Sequence, residues 1–78
     1  MVVKAYVLIE AAIGKVAQVA EKVRELPGVV ATDVIAGPYD VIAVAQGETA
    51  EQIGQLVMKR IHGIAGVNYT MTCIVITE

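Results

Sequence analysis

The 78-residue chain has one cysteine, one histidine, two prolines, no tryptophan and no phenylalanine. With Cys73 alone, an intrachain disulfide is excluded, and with His62 alone no His/Cys metal cluster can form. No apolar run approaches the roughly 20 residues that a membrane span needs. The first residues pass directly into a strand pattern, without the profile of a signal peptide. There is no basic patch, and the formal net charge is −2, which argues against direct nucleic-acid binding. A reducing cytoplasm is the expected location. Seventy-eight residues allow one domain, spanning 1–78. A core this small usually needs a disulfide, a metal or a partner subunit. The first two being unavailable, the composition points to a partner subunit.

What the chain does have is apolar surface: 56% of its residues are hydrophobic. Val2 to Glu10 is nearly continuous in apolar residues and reads as a central strand covered on both faces. Gly14 to Leu26 reads as a helix, with Ile13, Val16, Ala17, Ala20 and Val23 as its apolar stripe. Its charged side reads as a solvated face. Pro27 ends this helix and Gly28 opens a turn. Strands follow at Val29 to Ala36 and Asp40 to Gln46. Thr49 starts a second helix, with Gln52 at capping-box spacing. Glu51 suits the positive end of its dipole, and Lys59 and Arg60 the negative end. Ile53, Leu56, Val57 and Ile61 form its buried stripe, Gly63 offers a C-terminal cap, and His62 is assigned to the helix end rather than to a ligand. Val67 to Thr77 is the last strand.

Between the second and third strands, Ala36-Gly37-Pro38-Tyr39-Asp40 leaves room only for a tight turn. Pro38 fixes its own φ and pushes Gly37 toward extended geometry. The tip presents one phenol, Tyr39, and one carboxylate, Asp40. Asp40 either caps its own turn, as Asp often does, or belongs to the wall of a small-molecule site.

The two halves echo each other at an offset of 38 residues. Val3, Ala5, Val23, Leu26, Gly28, Val29 and Thr32 match Val41, Ala43, Ile61, Ile64, Gly66, Val67 and Thr70. Each half is strand–helix–strand, and two such units with right-handed crossovers give the ferredoxin-like βαββαβ plan of an α+β domain. The expectation is an antiparallel four-stranded sheet of order 4-1-3-2, with both helices on one face.

Strand parity leaves the other face apolar. Tyr6, Leu8, Ile42, Val44, Ile74 and Ile76 are assigned to it, with Thr70 and Thr72 as its polar exceptions. Each large apolar side chain left wet forgoes roughly 1.5–3 kcal/mol, and a contiguous patch marks an interface. A face-to-face dimer follows as an expectation. Thr is common in strands on propensity alone, but two in alternation beside an apolar face suggest a lined pocket.

Leu26-Pro27-Gly28-Val29, Ala36-Gly37-Pro38-Tyr39-Asp40, and Gly63-Ile64-Ala65-Gly66-Val67 followed by Thr70-Met71-Thr72 together resemble the effector-binding domain of the Lrp/AsnC family. Those are the leucine- and asparagine-responsive transcription regulators of bacteria and archaea. The resemblance covers essentially the whole sequence. The family's helix-turn-helix domain has no counterpart here, so the sequence resembles the stand-alone members. The resemblance implies dimers assembling into octameric or similar rings and amino-acid effectors held between dimers; the first functional reading is an amino-acid-binding module that modulates full-length regulators by co-assembly. It implies ligand contacts from Gly37, Tyr39 and Asp40 in the turn and from Thr70 and Thr72 in the last strand. Pro38 sits at a variable position and carries no such inference. No cofactor and no membrane partner is implied.

The chemistry fits an α-amino acid. Asp40 offers a charge-assisted acceptor for the ammonium, and turn amides or Thr hydroxyls offer donors for the carboxylate. In a 4-1-3-2 sheet the hairpin tip and the last strand are not neighbours, so a site using Asp40 and Thr70 is easier to build across subunits. Two other readings stand beside this one. A small cofactor-free enzyme of the dimeric α/β-barrel kind, such as a monooxygenase, would share the fold. Against it, one histidine and no cluster of acid and base groups give little for catalysis. The third reading is a structural subunit with an empty site.

Overall fold

In the computed structural model, which describes residues 2–77, the elements run β1 (Val3–Ala11), α1 (Val16–Arg24), β2 (Val29–Val34), β3 (Val41–Gly47), α2 (Ala50–Gln55) with a π-helical continuation (Leu56–Ile61), and β4 (Val67–Ile74). All strand pairs are antiparallel, in the order β2-β3-β1-β4. This is the expected ferredoxin-like order read from the other edge.

The sheet's helix side is built from small residues. Ala5, Val7, Ile9 and Ala11 of β1 alternate with exposed or half-buried neighbours, as do Val41, Ala43 and Ala45 of β3. The alanines there let the helices approach closely. α1 packs on β2 and β3, and α2 on β3 and β1. The α1 stripe is centred on Val19, Ala20 and Val23, with Val16 partly buried. Ile13 and Ala17, expected in that stripe, are exposed. Ile13 precedes the helix, and a stripe through positions 16, 19, 20 and 23 follows the 3.6-residue repeat more closely.

α2 opens as its sequence indicates. Thr49 Oγ1 accepts from the Gln52 amide at 3.1 Å, while Gln52 Oε1 accepts from the Glu48 amide at 2.7 Å, one residue before the usual capping-box partner. Ile53, Val57 and Ile61 are buried. An apolar spacing of four runs ahead of the 3.6-residue α repeat, and the wider turn absorbs the surplus: His62 donates its amide to the Val57 carbonyl at 2.9 Å, five residues back. Gly63 does not take the left-handed conformation expected of a C-terminal cap. It supplies space instead, since a Cβ there would lie 3.2 Å from the Lys59 carbonyl oxygen.

The internal repeat reappears in the backbone. Gly28 and Gly66 have φ of +95° and +101°, and each leads into an edge strand that carries a bulge. β2 inserts Val30 between Val29, paired with Ala45, and Ala31, paired with Val44. β4 inserts Asn68 between Val67, paired with Ala11, and Tyr69, paired with Glu10. The bulge corrects one expectation from the sequence. Because cross-strand partners share a face, Thr70, Thr72 and Ile74 lie on the helix side with Ile9, Val7 and Ala5. Tyr69, Met71 and Cys73 lie on the open side with Glu10, Leu8 and Tyr6. One extra residue inverts the parity of everything after it. The open face remains apolar, its composition now Tyr6, Leu8, Ile42, Val44, Tyr69 and Met71. Lys4, Glu10, Asp33 and Gln46 lie around it.

Two stability measurements test this packing. A Cβ on Gly66 would lie 2.9 Å from Lys15 Cβ and 3.1 Å from Val19 Cγ2, at a φ that disfavours side chains. Gly66→Ala should cost about 2–4 kcal/mol from strain and crowding together. Gly14→Ala, with φ of +81° but open space around it, should cost about 1–2 kcal/mol. Equal losses in denaturant titration would refute the close approach. The Thr32 hydroxyl is buried without a hydrogen-bond partner. Thr32→Val should therefore be neutral or stabilising by about 1 kcal/mol, read as an unchanged or raised Tm.

Candidate functional site

The turn between β2 and β3 is held from three sides. Asp40 donates its amide to the Ile9 carbonyl at 2.9 Å, and its own carbonyl accepts from the Ile35 amide at 2.9 Å. Its carboxylate crosses to the end of β1, where Oδ2 accepts from the Ala11 amide at 2.9 Å. That amide lies where the β1–β4 register shifts, so the bulge leaves it for Asp40. Asp40 thus caps a neighbouring strand rather than its own turn. Among the described residues, its other oxygen has no hydrogen-bond partner.

Tyr39, half-buried, reaches across β1 on the open face. Its ring stacks on Tyr69 of β4 with centroids 6.4 Å apart and planes at 20°, within the favoured offset-stacked range. Its hydroxyl lies 3.9 Å from Met71 Sδ, a weak contact. The hairpin tip and β4 therefore do meet within one chain, through aromatic side chains that span the intervening strand. Gly37 is exposed, and a Cβ there would meet nothing within 4 Å. Its φ of +156° is one that side chains rarely adopt, so the turn rather than crowding explains the glycine.

Gly37, Tyr39 and Asp40 are thus brought together at one end of the sheet. Thr70 and Thr72 are not with them: they lie on the helix side of β4, Thr72 exposed and Thr70 half-buried. The Thr70 hydroxyl is met by His62, whose Nε2 lies 2.8 Å from Oγ1. Sequence reasoning left His62 at the helix end. The signal that could have found this pair is the internal repeat, because Arg24 and Thr32 occupy the equivalent positions and also touch, Arg24 Nη2 donating to the Thr32 carbonyl at 3.1 Å.

Grooves on the surface of the single chain are lined by Pro27, Gln52, Gln55, Leu56, Lys59 and Arg60, by Glu51, Gly54, Gln55, Met58 and Lys59, and by Gln18, Glu21, Lys22 and Glu25. None of these includes the five residues. Among the described residues, no group of three or more His, Cys, Asp or Glu side chains could hold a metal ion, and no helix is long and apolar enough to cross a membrane.

Comparison with known proteins gives this arrangement a context. The family model of the Lrp/AsnC ligand binding domain matches residues 4–78. An uncharacterized HTH-type transcriptional regulator of Pyrococcus abyssi is 35% identical over 57 residues, which is 73% of this chain and 38% of the regulator. The chain thus matches well under half the length of that relative. A crystal structure of a Thermus thermophilus protein superposes with a TM-score of 0.93 at 29% identity, covering 97% of this chain and 95% of the other. A transcriptional regulator of Neisseria meningitidis, crystallised as an L-Met complex, shares the fold with a TM-score of 0.85 at 19% identity over 97% of this chain and 51% of its own. With the family model matched from the first strand through the last and the split βαβ sheet in place, the chain belongs to the Lrp/AsnC family, as a ligand-binding domain related to transcription regulators.

Proposed function

We propose that the chain is an oligomeric amino-acid-binding module that acts by binding rather than catalysis, including by co-assembly with full-length Lrp/AsnC regulators. The observation that carries this reading is the Asp40 carboxylate, fixed through one oxygen and unpartnered at the other. A carboxylate held this way is a preorganised acceptor for an ammonium. Gly37 leaves the backbone beside it uncovered, and the Tyr39–Tyr69 stack forms a firm wall. The Neisseria meningitidis relative, solved with L-Met, supports an amino acid as the ligand class.

One chain does not complete such a site, because Thr70 and Thr72 lie on the opposite side of the sheet from the Tyr39 ring. In this reading, Gly37, Tyr39 and Asp40 of one dimer face Thr70 and Thr72 of another, in a ring of dimers. The dimer itself uses the open face, whose apolar centre of Leu8, Ile42 and Val44 has polar neighbours in Lys4, Glu10, Asp33 and Gln46. An apolar core with a polar rim is how stable interfaces are built. The module acts in the cytoplasm, alongside the regulators.

Ile42→Glu should place a charge without a partner in the dimer interface. Light scattering should then report monomer or unfolded chain, where the parent is a dimer or larger. A parent chain that stays monomeric at 8.2 kDa in dilute solution would overturn the interface.

Asp40→Asn keeps an oxygen for the Ala11 amide and removes the charge. A charged hydrogen bond contributes roughly 1.5–3 kcal/mol, so amino-acid affinity should fall about ten- to a hundredfold with the fold intact. Thr72→Val should cost less. Calorimetry over the twenty proteinogenic L-amino acids checks the ranking. Unchanged binding by Asp40→Asn would remove Asp40 from the site, and no binding by the parent would refute the function.

A further inference from the structure

The His62–Thr70 pair is the one side-chain hydrogen bond between α2's extension and β4 among the described residues, and neither the fold nor the turn site requires it. The first half of the chain manages without it. There, Arg24 donates to the Thr32 carbonyl rather than to its hydroxyl. The second half instead places an imidazole nitrogen 2.8 Å from a hydroxyl. The π-helical stretch contributes to this placement, since the five-residue hydrogen bond to Val57 fixes the rotation at which His62 leaves the helix. His62 is exposed and Thr70 half-buried, so both the pair and its surroundings are open to an approaching ligand.

A threonine hydroxyl has one proton to give and two lone pairs to offer. What it presents to a third group depends on what His62 does at the shared contact. If Nε2 accepts, the Thr70 proton is spent on the imidazole and only lone pairs face outward. If Nε2 donates, the Thr70 proton is free for a ligand oxygen. A neutral imidazole allows either arrangement. An imidazolium allows only the second, because both of its nitrogens are donors, and it adds a positive charge beside the hydroxyl.

Resting on the reading of Thr70 as a contact for an amino-acid effector, we infer that His62 is a positioning residue that links effector binding to proton uptake: its protonation turns Thr70 into an obligate donor for the effector's carboxylate. Histidine is the one side chain whose unperturbed charge change falls between pH 5 and 8, and His62 is the only histidine. The groups around it do not compete for this role. Lys59 and Arg60 precede it in its own helical segment, and Lys15 packs against Gly66 at the start of β4. All three are basic side chains, and none is a histidine. β4 has no charged residue between Val67 and Ile74, and its titratable Tyr69 and Cys73 lie on the opposite face.

The sign follows from which state binds the anion better. Protonated His62 favours the carboxylate, so affinity rises as His62 takes up its proton and levels off once it is protonated. The added positive charge near the effector's carboxylate, with the Thr70 proton no longer drawn to the imidazole, corresponds to about a five- to tenfold gain.

The test is calorimetry on the full chain, using whichever of the twenty proteinogenic L-amino acids binds most tightly. It is run from pH 8 to pH 5.5 in two buffers of different ionisation enthalpy. The expected result is a five- to tenfold tighter Kd at the acid end, with net proton uptake in the wild type. His62→Gln and His62→Asn should bind with a flat profile and no uptake. Thr70→Ser should retain the slope and Thr70→Val should lose it. Wild-type binding with a flat profile, or a slope that survives in the folded His62 variants, overturns the linkage and leaves the amino-acid module standing. No binding of any of the twenty at any pH overturns both.

Discussion

Two helices can cover only one face of a four-stranded sheet, and in this chain both faces are apolar. Small and medium residues of β1 and β3, alanines prominent among them, accept α1 and α2. On the reverse side Leu8, Ile42 and Val44 are only half-buried, and Tyr6, Tyr69 and Met71 are 38%, 52% and 41% exposed. The rest of the molecule is arranged around that imbalance. Polar residues are confined to the margins of the open face. The hairpin tip folds back across it, so that the Tyr39–Tyr69 stack shields a corner of it. The candidate ligand groups sit at the sheet's end and along its outer strand, where a second covering layer would leave them accessible.

The fold was legible because its signals are redundant. Apolar periodicity, Pro27 and Gly28, the Thr49 cap and the 38-residue repeat all indicate the same βαββαβ order. The turn residues were legible for the same reason, since a tight turn with a single carboxylate has few ways to fold. The face of β4 was not legible. Val67 to Ile74 alternates smoothly in sequence, and nothing at Asn68 announces that it will be skipped by the ladder. A bulge costs one residue of register and leaves no compositional trace. The matching bulge at Val30 in the first half is equally unmarked in the sequence.

The two halves agree in their apolar frame and differ in their polar fittings. Val23 and Ile61 are both fully buried, and Gly28 and Gly66 turn the chain with nearly the same φ. Around that common frame, Thr32 is buried with an idle hydroxyl, whereas Thr70 is half-buried and bonded. Packing dictates the shared part and tolerates little change. The divergent part lies at the helix ends and edge strands, where substitution costs little stability and where binding groups can be installed. His62 belongs to this divergent part: it departs from its counterpart Arg24 in both side chain and partner.

The paired bulges have a further consequence for how such molecules can come together. β2 and β4 are both sheet margins with unpaired backbone groups, and β4 has no charged residue or proline to discourage a passing strand. A strand laid alongside either margin would meet an extra residue at Val30 or Asn68, which throws its hydrogen bonds out of step and adds local twist. Sideways growth into a continuous ribbon or fibril is frustrated at the same place in both halves. Edge-to-edge association would thus have to overcome a bulge in either half, an obstacle that the broad apolar face does not present.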